Sequence, residues 1–156
     1  MKIAEFLNEQ AVTCSLKART KEEVLRELVQ LLTRAGAVQE QEAPALMQIL
    51  INREALGSTG IGQGVAIPHG KSKKIPALIG AFGISKAGVE FGSLDGESSH
   101  LFFLLMAPED SAGPHLKALA RISRLFKDRT FRDALKHARD EKSVLKILFD
   151  EDQRRH

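Results

Sequence analysis

Tryptophan and tyrosine are absent from the 156 residues, and cysteine occurs once, at Cys14. A single thiol excludes an internal disulfide and agrees with a reducing compartment, so a cytoplasmic location is expected. The eight phenylalanines are the only aromatics. Most lie inside apolar runs, which leaves no stacking platform for single-stranded nucleic acid. No apolar run approaches the roughly 20 residues needed to cross a bilayer. Residues 1–9 carry two acids and lack both a continuous apolar stretch and a small-residue cleavage site, so they do not read as a signal peptide. Any membrane contact is expected to be peripheral. Charge of one sign is lacking too, because 23 Lys and Arg are interleaved with 20 Asp and Glu for a net +3. Lys71 to Lys74 is the one local basic cluster, and nucleic acid is not an expected partner. There is no internal repeat and no low-complexity linker.

What is present suits one domain spanning residues 1–156, since a chain of this length buries about two thirds of its unfolded surface. Residues 2–7 suggest a short turn or helix. The alternation over residues 12–16 suggests a strand with Cys14 as a small buried side chain. Thr20 and Glu23 form a capping box that opens a helix with Val24, Leu25, Leu28, Leu31, Leu32 and Ala35 on one face, closed at Gly36. A second helix is expected over residues 42–55. Its apolar stripe of Leu46, Ile49 and Leu50 continues on the same face to Arg53. An arginine at a helix end often snorkels to solvent. Here a glycine-rich segment starts four residues later, which gives the guanidinium something to aim at.

Strands are expected over residues 65–67, 77–84 and 100–106. Pro114 suits the start of a helix, which places His115 in its first turn and Leu116, Leu119, Ala120, Ser123 and Phe126 on its buried face. Two more helices are expected over residues 130–138 and 141–149, followed by a frayed tail at 150–156.

The densest chemistry lies in Gly57-Ser-Thr-Gly-Ile-Gly-Gln-Gly-Val-Ala-Ile-Pro-His69-Gly70-Lys71. A nucleotide-binding P-loop would need four residues between its glycine and Gly-Lys-Ser. Gly64 and Gly70 enclose five, and those five are strand-like, so that reading fails. A metal site fares no better, because no Cys/His cluster exists and no two histidines sit one helical turn apart. Neither a metal nor a cofactor is expected. A phosphohistidine fits better. A neutral imidazole is nucleophilic near pH 7, and phosphoryl transfer asks the protein mainly to position the group and neutralise its equatorial oxygens. His69 is the candidate nucleophile. His115 at a helix start, Arg53, and the backbone or side chains of Gly57, Ser58, Thr59, Gly60, Gly62, Gln63 and Gly64 are the candidate phosphate-holding groups. His100, His137 and His156 read as structural or incidental.

The stretch from Leu56 to Lys71 resembles the phosphorylation-site signature of the enzyme IIA proteins of the phosphoenolpyruvate-dependent sugar phosphotransferase system, fructose/mannitol class. Ala66-Ile-Pro-His69-Gly70 is its most specific part, with Asn52-Arg53-Glu54 upstream and His115-Leu116 downstream in the family's order. The wording is nearest to the nitrogen-related regulatory branch, and Gln63, where some sugar-specific relatives carry a carboxylate, favours that branch. The resemblance covers essentially the whole chain, as a free-standing IIA domain. It implies a single-domain α/β sandwich, a mixed sheet with helices on both sides. It also implies phosphorylation of His69 on Nε2 by an HPr-type (NPr-like) carrier, with His115 and Arg53 stabilising the group. Regulatory targets of the potassium-transport or sensor-kinase kind follow from the same resemblance. The alternatives are a sugar-specific IIA that passes phosphate to a IIB subunit, or a non-catalytic binding module.

Overall fold

A computed structural model describes residues 1–155. The two longest apolar runs form the middle of a six-stranded sheet. β5 (Ile79–Val89) and β6 (Ser99–Pro108) pair antiparallel, with Ala81 opposite Leu104 and Phe82 opposite Phe103. Successive side chains of a strand point to opposite faces. Along β6 this sends Leu101, Phe103 and Leu105 into one apolar cluster and Phe102, Leu104 and Met106 into another, all fully buried. A sheet apolar on both faces needs helices on both.

α1 (Lys21–Arg34) and α2 (Ala43–Ala55) cover one face through Val24, Leu25, Leu28, Leu32, Leu46 and Leu50. α3 (Ala112–Leu125), α4 (Arg129–Lys136) and α5 (Glu141–Arg154) cover the other through Ala118, Ile122, Leu125, Leu135, Val144 and Leu148. The strand order is β1-β5-β6-β3-β2, with β4 also on β6. β1 (Leu7–Thr13) runs parallel to β5; β3 (Val65–Ala66) and β4 (His69–Ser72) run parallel to β6; β2 (Gly60–Gly62) runs antiparallel to β3. This is the α/β sandwich with a mixed sheet that the resemblance implies.

α1 opens on the expected capping box, Thr20 Oγ1 accepting the Glu23 N–H and the Glu23 carboxylate accepting the Thr20 N–H. Gly36, at φ 77, sits just past its end. Three local expectations are corrected.

The first strand occupies 7–13 and not 12–16. Its pairing with β5 shifts register between Leu7 and Val12, which breaks the alternation, and Cys14 lies beyond the strand, partly buried against the apolar cluster of that face, its N–H donated to Glu141. The inward face of α3 is His115, Ala118, Arg121, Ile122 and Leu125, with only Phe126 of the expected set fully inside, and Leu116 is 68% exposed. Two polar side chains hold inward positions there, Arg121 paired with Asp152 and His115 packed edge-on against the His69 ring, so counting only apolar residues shifts the phase.

The C-terminal segment is docked and not frayed. Arg121 donates to the Asp152 carboxylate at 2.8 Å and to the Arg155 carbonyl at 2.6 Å, while Lys2 Nζ donates to the Asp152 carbonyl at 2.6 Å. Asp152 is 1% exposed, so this charged run is a buried ion-paired clamp between α3 and α5. His156 lies outside the described residues.

Candidate functional site

β3 and β4 lie on the same edge of β6, separated by Ile67 and Pro68. Pro68 has no N–H to offer, yet its carbonyl accepts the Leu105 N–H at 2.9 Å, so the register continues across the break. His69 starts β4 opposite Leu105. Gly70 follows, and a Cβ there would meet Ile49 Cγ2 at 2.7 Å. Its missing side chain lets α2 lie close against β4, which brings the last turn of α2, and with it Arg53, to the same cleft as His69.

The half-buried His69 ring has Nδ1 at 2.8 Å from the Ile67 carbonyl oxygen. A carbonyl only accepts, so Nδ1 carries the proton and Nε2 of the neutral ring keeps its lone pair. Burial lowers the His69 pKa and the Arg53 charge adds to that, against the opposing pull of the Ile67 hydrogen bond and of Glu54. The ring is neutral at pH 7, as a nucleophile must be.

His115 is the fourth residue of α3, with Pro114 before it in the first turn, where a missing N–H breaks no helical bond. The two imidazole centroids are 5.5 Å apart, with planes at 80°. His115 is 5% exposed, and among the described residues its Nε2 is a buried side-chain nitrogen with no hydrogen-bond partner. Burial first, then the neighbouring His69 and Lys71, push its pKa down to about 4. An unpartnered buried polar atom costs roughly 1–3 kcal/mol.

Arg53 Nη1 donates to the Gly57 carbonyl at 2.8 Å, capping its own helix end and engaging one of five N–H donors. His69, His115, Arg53, Lys71, Leu56 and Leu116 line one cleft of about 510 Å³. Leu56 is 87% and Leu116 68% exposed, an apolar rim around a cationic and imidazole centre.

The structure thus brings His69, His115 and Arg53 together; the glycine-rich segment meets them only through the Gly57 carbonyl on Arg53 and contributes no wall to the cleft. None of Gly57, Ser58, Thr59, Gly60, Gly62, Gln63 and Gly64 lines that cleft. Their polar groups are engaged elsewhere. Thr59 N–H and Oγ1 both bond Glu54; Ser58 Oγ donates to the Phe91 carbonyl at 2.5 Å and accepts the Gly60 N–H at 3.0 Å. Gln63 and Gly64, with φ 59 and 80, form the two-residue hairpin turn between β2 and β3, and Asp95 accepts the Gln63 N–H at 2.8 Å. His100 and His137 bond the Ser85 and Asp133 carbonyls. Among the described residues no group of three His, Cys, Asp or Glu side chains is placed to hold a metal ion.

Sequence reasoning passed over Leu116, counted as core, and the burial of Glu54. Helical spacing could have singled out Glu54, which stands four residues after Leu50 and eight after Leu46, on the buried face of α2.

The low His115 pKa makes a prediction about stability. In the unfolded chain this histidine titrates near 6.5, in the folded chain near 4, so between those values the unfolded chain binds more protons. Its contribution is fully present above about pH 6.5, shrinks as pH falls, and is lost below about pH 4, a total of about 3 kcal/mol. Urea unfolding at pH 4 to 7 is expected to show that loss, and His115→Leu is expected to remove this part of the slope while leaving the part due to His69 and the carboxylates.

Comparison with known proteins shows the family and agrees with the fold. Residues 5–151 match the family model described as phosphoenolpyruvate-dependent sugar phosphotransferase system, EIIA 2. A nitrogen regulatory protein of Bradyrhizobium diazoefficiens is 38% identical over 95% of this chain and 95% of its own length. A fructose-specific EIIABC component of Bacillus subtilis is also 38% identical, over 98% of this chain but only 24% of its own length. The crystal structure of nitrogen regulatory protein IIA-Ntr from Neisseria meningitidis superposes with a TM-score of 0.84 at 32% identity, covering 94% of this chain and 98% of that one. No described helix is long and apolar enough to cross a membrane. The chain belongs to the EIIA 2 family of the phosphoenolpyruvate-dependent sugar phosphotransferase system, and is a IIA-type phosphocarrier of that relay.

Proposed function

We propose that His69 accepts the phosphoryl group on Nε2 from an HPr-type (NPr-like) phosphocarrier and that the chain acts mainly as a nitrogen- and potassium-related regulator. The observation that carries the first part is the Nδ1–H bond to the Ile67 carbonyl, which leaves Nε2 as the only ring nitrogen able to react. The Nε2 lone pair attacks phosphorus, the P–N bond to the donor imidazole breaks, and the donor nitrogen leaves with the electron pair. His69 keeps its Nδ1 proton throughout. His115 Nε2, carrying a proton, and the Arg53 N–H groups not bonded to Gly57 supply donors for the phosphoryl oxygens as charge spreads over them. The apolar rim of Leu56 and Leu116 receives the donor protein.

The regulatory role is supported by full-length similarity to nitrogen regulatory proteins. The targets we propose for it are of the potassium-transport or sensor-kinase kind. The second reading, a sugar-specific IIA serving a IIB subunit, is favoured by equal identity to the fructose-specific component.

Incubation with phosphoenolpyruvate, enzyme I and an HPr-type carrier is expected to load one acid-labile, alkali-stable phosphate per chain. The loaded protein is then offered a panel of fructose- and mannitol-class IIB proteins. Retention of the phosphate supports the regulatory reading, and rapid transfer to one IIB supports the sugar reading. A chain that stays unlabelled would leave only a binding module.

A further inference from the structure

The bond that fixes the His69 ring depends on residues far from the cleft. Ile67 lies beyond the end of β3, and its N–H is donated not to β6 but to the Thr59 carbonyl, at 3.0 Å. Where the Ile67 carbonyl sits, and so where His69 Nδ1 points, therefore depends on where Thr59 is held. Thr59 is 4% exposed, and both its N–H, at 3.1 Å, and its hydroxyl donate to the Glu54 carboxylate. Glu54 is 9% exposed and forms an ion pair with Lys21 Nζ at 3.0 Å, and Lys21 itself lies 4.7 Å over the Phe91 ring. One continuous path of hydrogen bonds thus runs from the first turn of α1, through the last turn of α2 and two residues of the loop, to the imidazole of His69.

We propose that Glu54, clamped by Lys21, is a positioning residue for the acceptor histidine: through Thr59 and Ile67 it sets the rotation of the ring and holds the proton on Nδ1. This rests on His69 being the acceptor. A neutral histidine free in water favours the other tautomer, with the proton on Nε2, which blocks the nitrogen that must attack. The Ile67 carbonyl reverses that preference, and it does so only while it stays within hydrogen-bond distance of Nδ1. Replacing the Glu54 carboxylate by an amide would leave one acceptor oxygen for the two buried donors of Thr59, and the loop would shift to rehydrate the other. Glu54 never touches the phosphoryl group. Its effect is one of placement, for which misalignment on the order of 1 Å can cost about a hundredfold in rate. Arg53 belongs to the same unit, since the Gly57 carbonyl that it caps lies two residues before Thr59.

The test uses the whole chain carrying Glu54→Gln, Thr59→Val or Thr59→Ser. Ring nitrogen-15 shifts report the tautomer of His69 before any phosphate is added, and steady-state transfer from an HPr-type donor reports kcat and KM separately. The wild type is expected to show protonated Nδ1 and bare Nε2. Thr59→Val and Glu54→Gln are expected to show a tautomer mixture and a kcat lower by roughly ten- to a hundredfold with KM little changed. Thr59→Ser, which keeps the hydroxyl, is expected to behave as wild type. A merely structural role would lower stability without changing the tautomer. If Glu54→Gln does not fold, the Thr59 pair decides alone. An unchanged Nδ1–H tautomer in Thr59→Val overturns the proposal, whatever happens to the rate. Failure of the wild type to take up phosphate would instead overturn the acceptor reading, and the tautomer comparison would still judge this one.

Discussion

A His69→Ala chain is expected to take up no phosphate above background from an HPr-type donor, while keeping its fold. The size of that loss follows from the role of the group. In the proposed reaction Arg53 and His115 hold charge whereas the Nε2 of His69 forms the new bond, and the one other imidazole lining the cleft, His115, has its Nε2 buried. Retention of the fold follows from position. His69 is half-buried at the start of an edge strand of four residues, and the register of β4 on β6 is set by backbone pairs from Leu105 to Pro108. Labelling with phosphoenolpyruvate and enzyme I, with circular dichroism on the same sample, checks both halves.

The second large effect is expected at His115. Removing one preorganised donor to the charge of a transition state costs on the order of 10²–10³ in rate. His115→Leu should therefore still be phosphorylated, about 10²–10³ times more slowly in single-turnover measurements. Stability should move the other way. The native chain buries the His115 Nε2 without a partner, and leucine fills similar space with no polar atom to satisfy. A gain of about 1 kcal/mol at pH 7 is expected in chemical unfolding. Opposed changes in rate and stability mark a group kept for function. A loss of stability with an unchanged rate would assign His115 to the core.

How much of this was legible in the sequence depended on whether a residue's place is set by local pattern. Arg53 was legible because helical spacing carries it directly from Ile49 and Leu50, and the capping box at Thr20 is a purely local exchange of hydrogen bonds. His69 was legible because an Ile-Pro-His-Gly run has few ways to be built. The α3 face was not, because Arg121 and His115 take inward positions only where Asp152 and His69, distant in sequence, receive them. The tail was misread for the same reason: Glu151 and Asp152 look like a solvated acidic end until the arginines that neutralise them are placed. The glycine-rich segment shows the converse. Its glycines suggested backbone open to an anion, and the fold uses that flexibility to turn a hairpin and to seat residue 59 against Glu54. Nothing in local sequence distinguishes a loop whose N–H groups face outward from one whose N–H groups are taken by side chains such as Glu54, Ser58 and Asp95.

The phosphoryl-transfer outcomes depend on a single atom as the proposed nucleophile, the His69 Nε2. Phosphorus and nitrogen-15 NMR of the full chain after loading from an HPr-type donor locates the phosphate directly. One phosphohistidine, bonded through Nε2 of His69 with the proton retained on Nδ1, is the predicted result. A phosphate found on Nδ1, on His115 or on any other residue would contradict it.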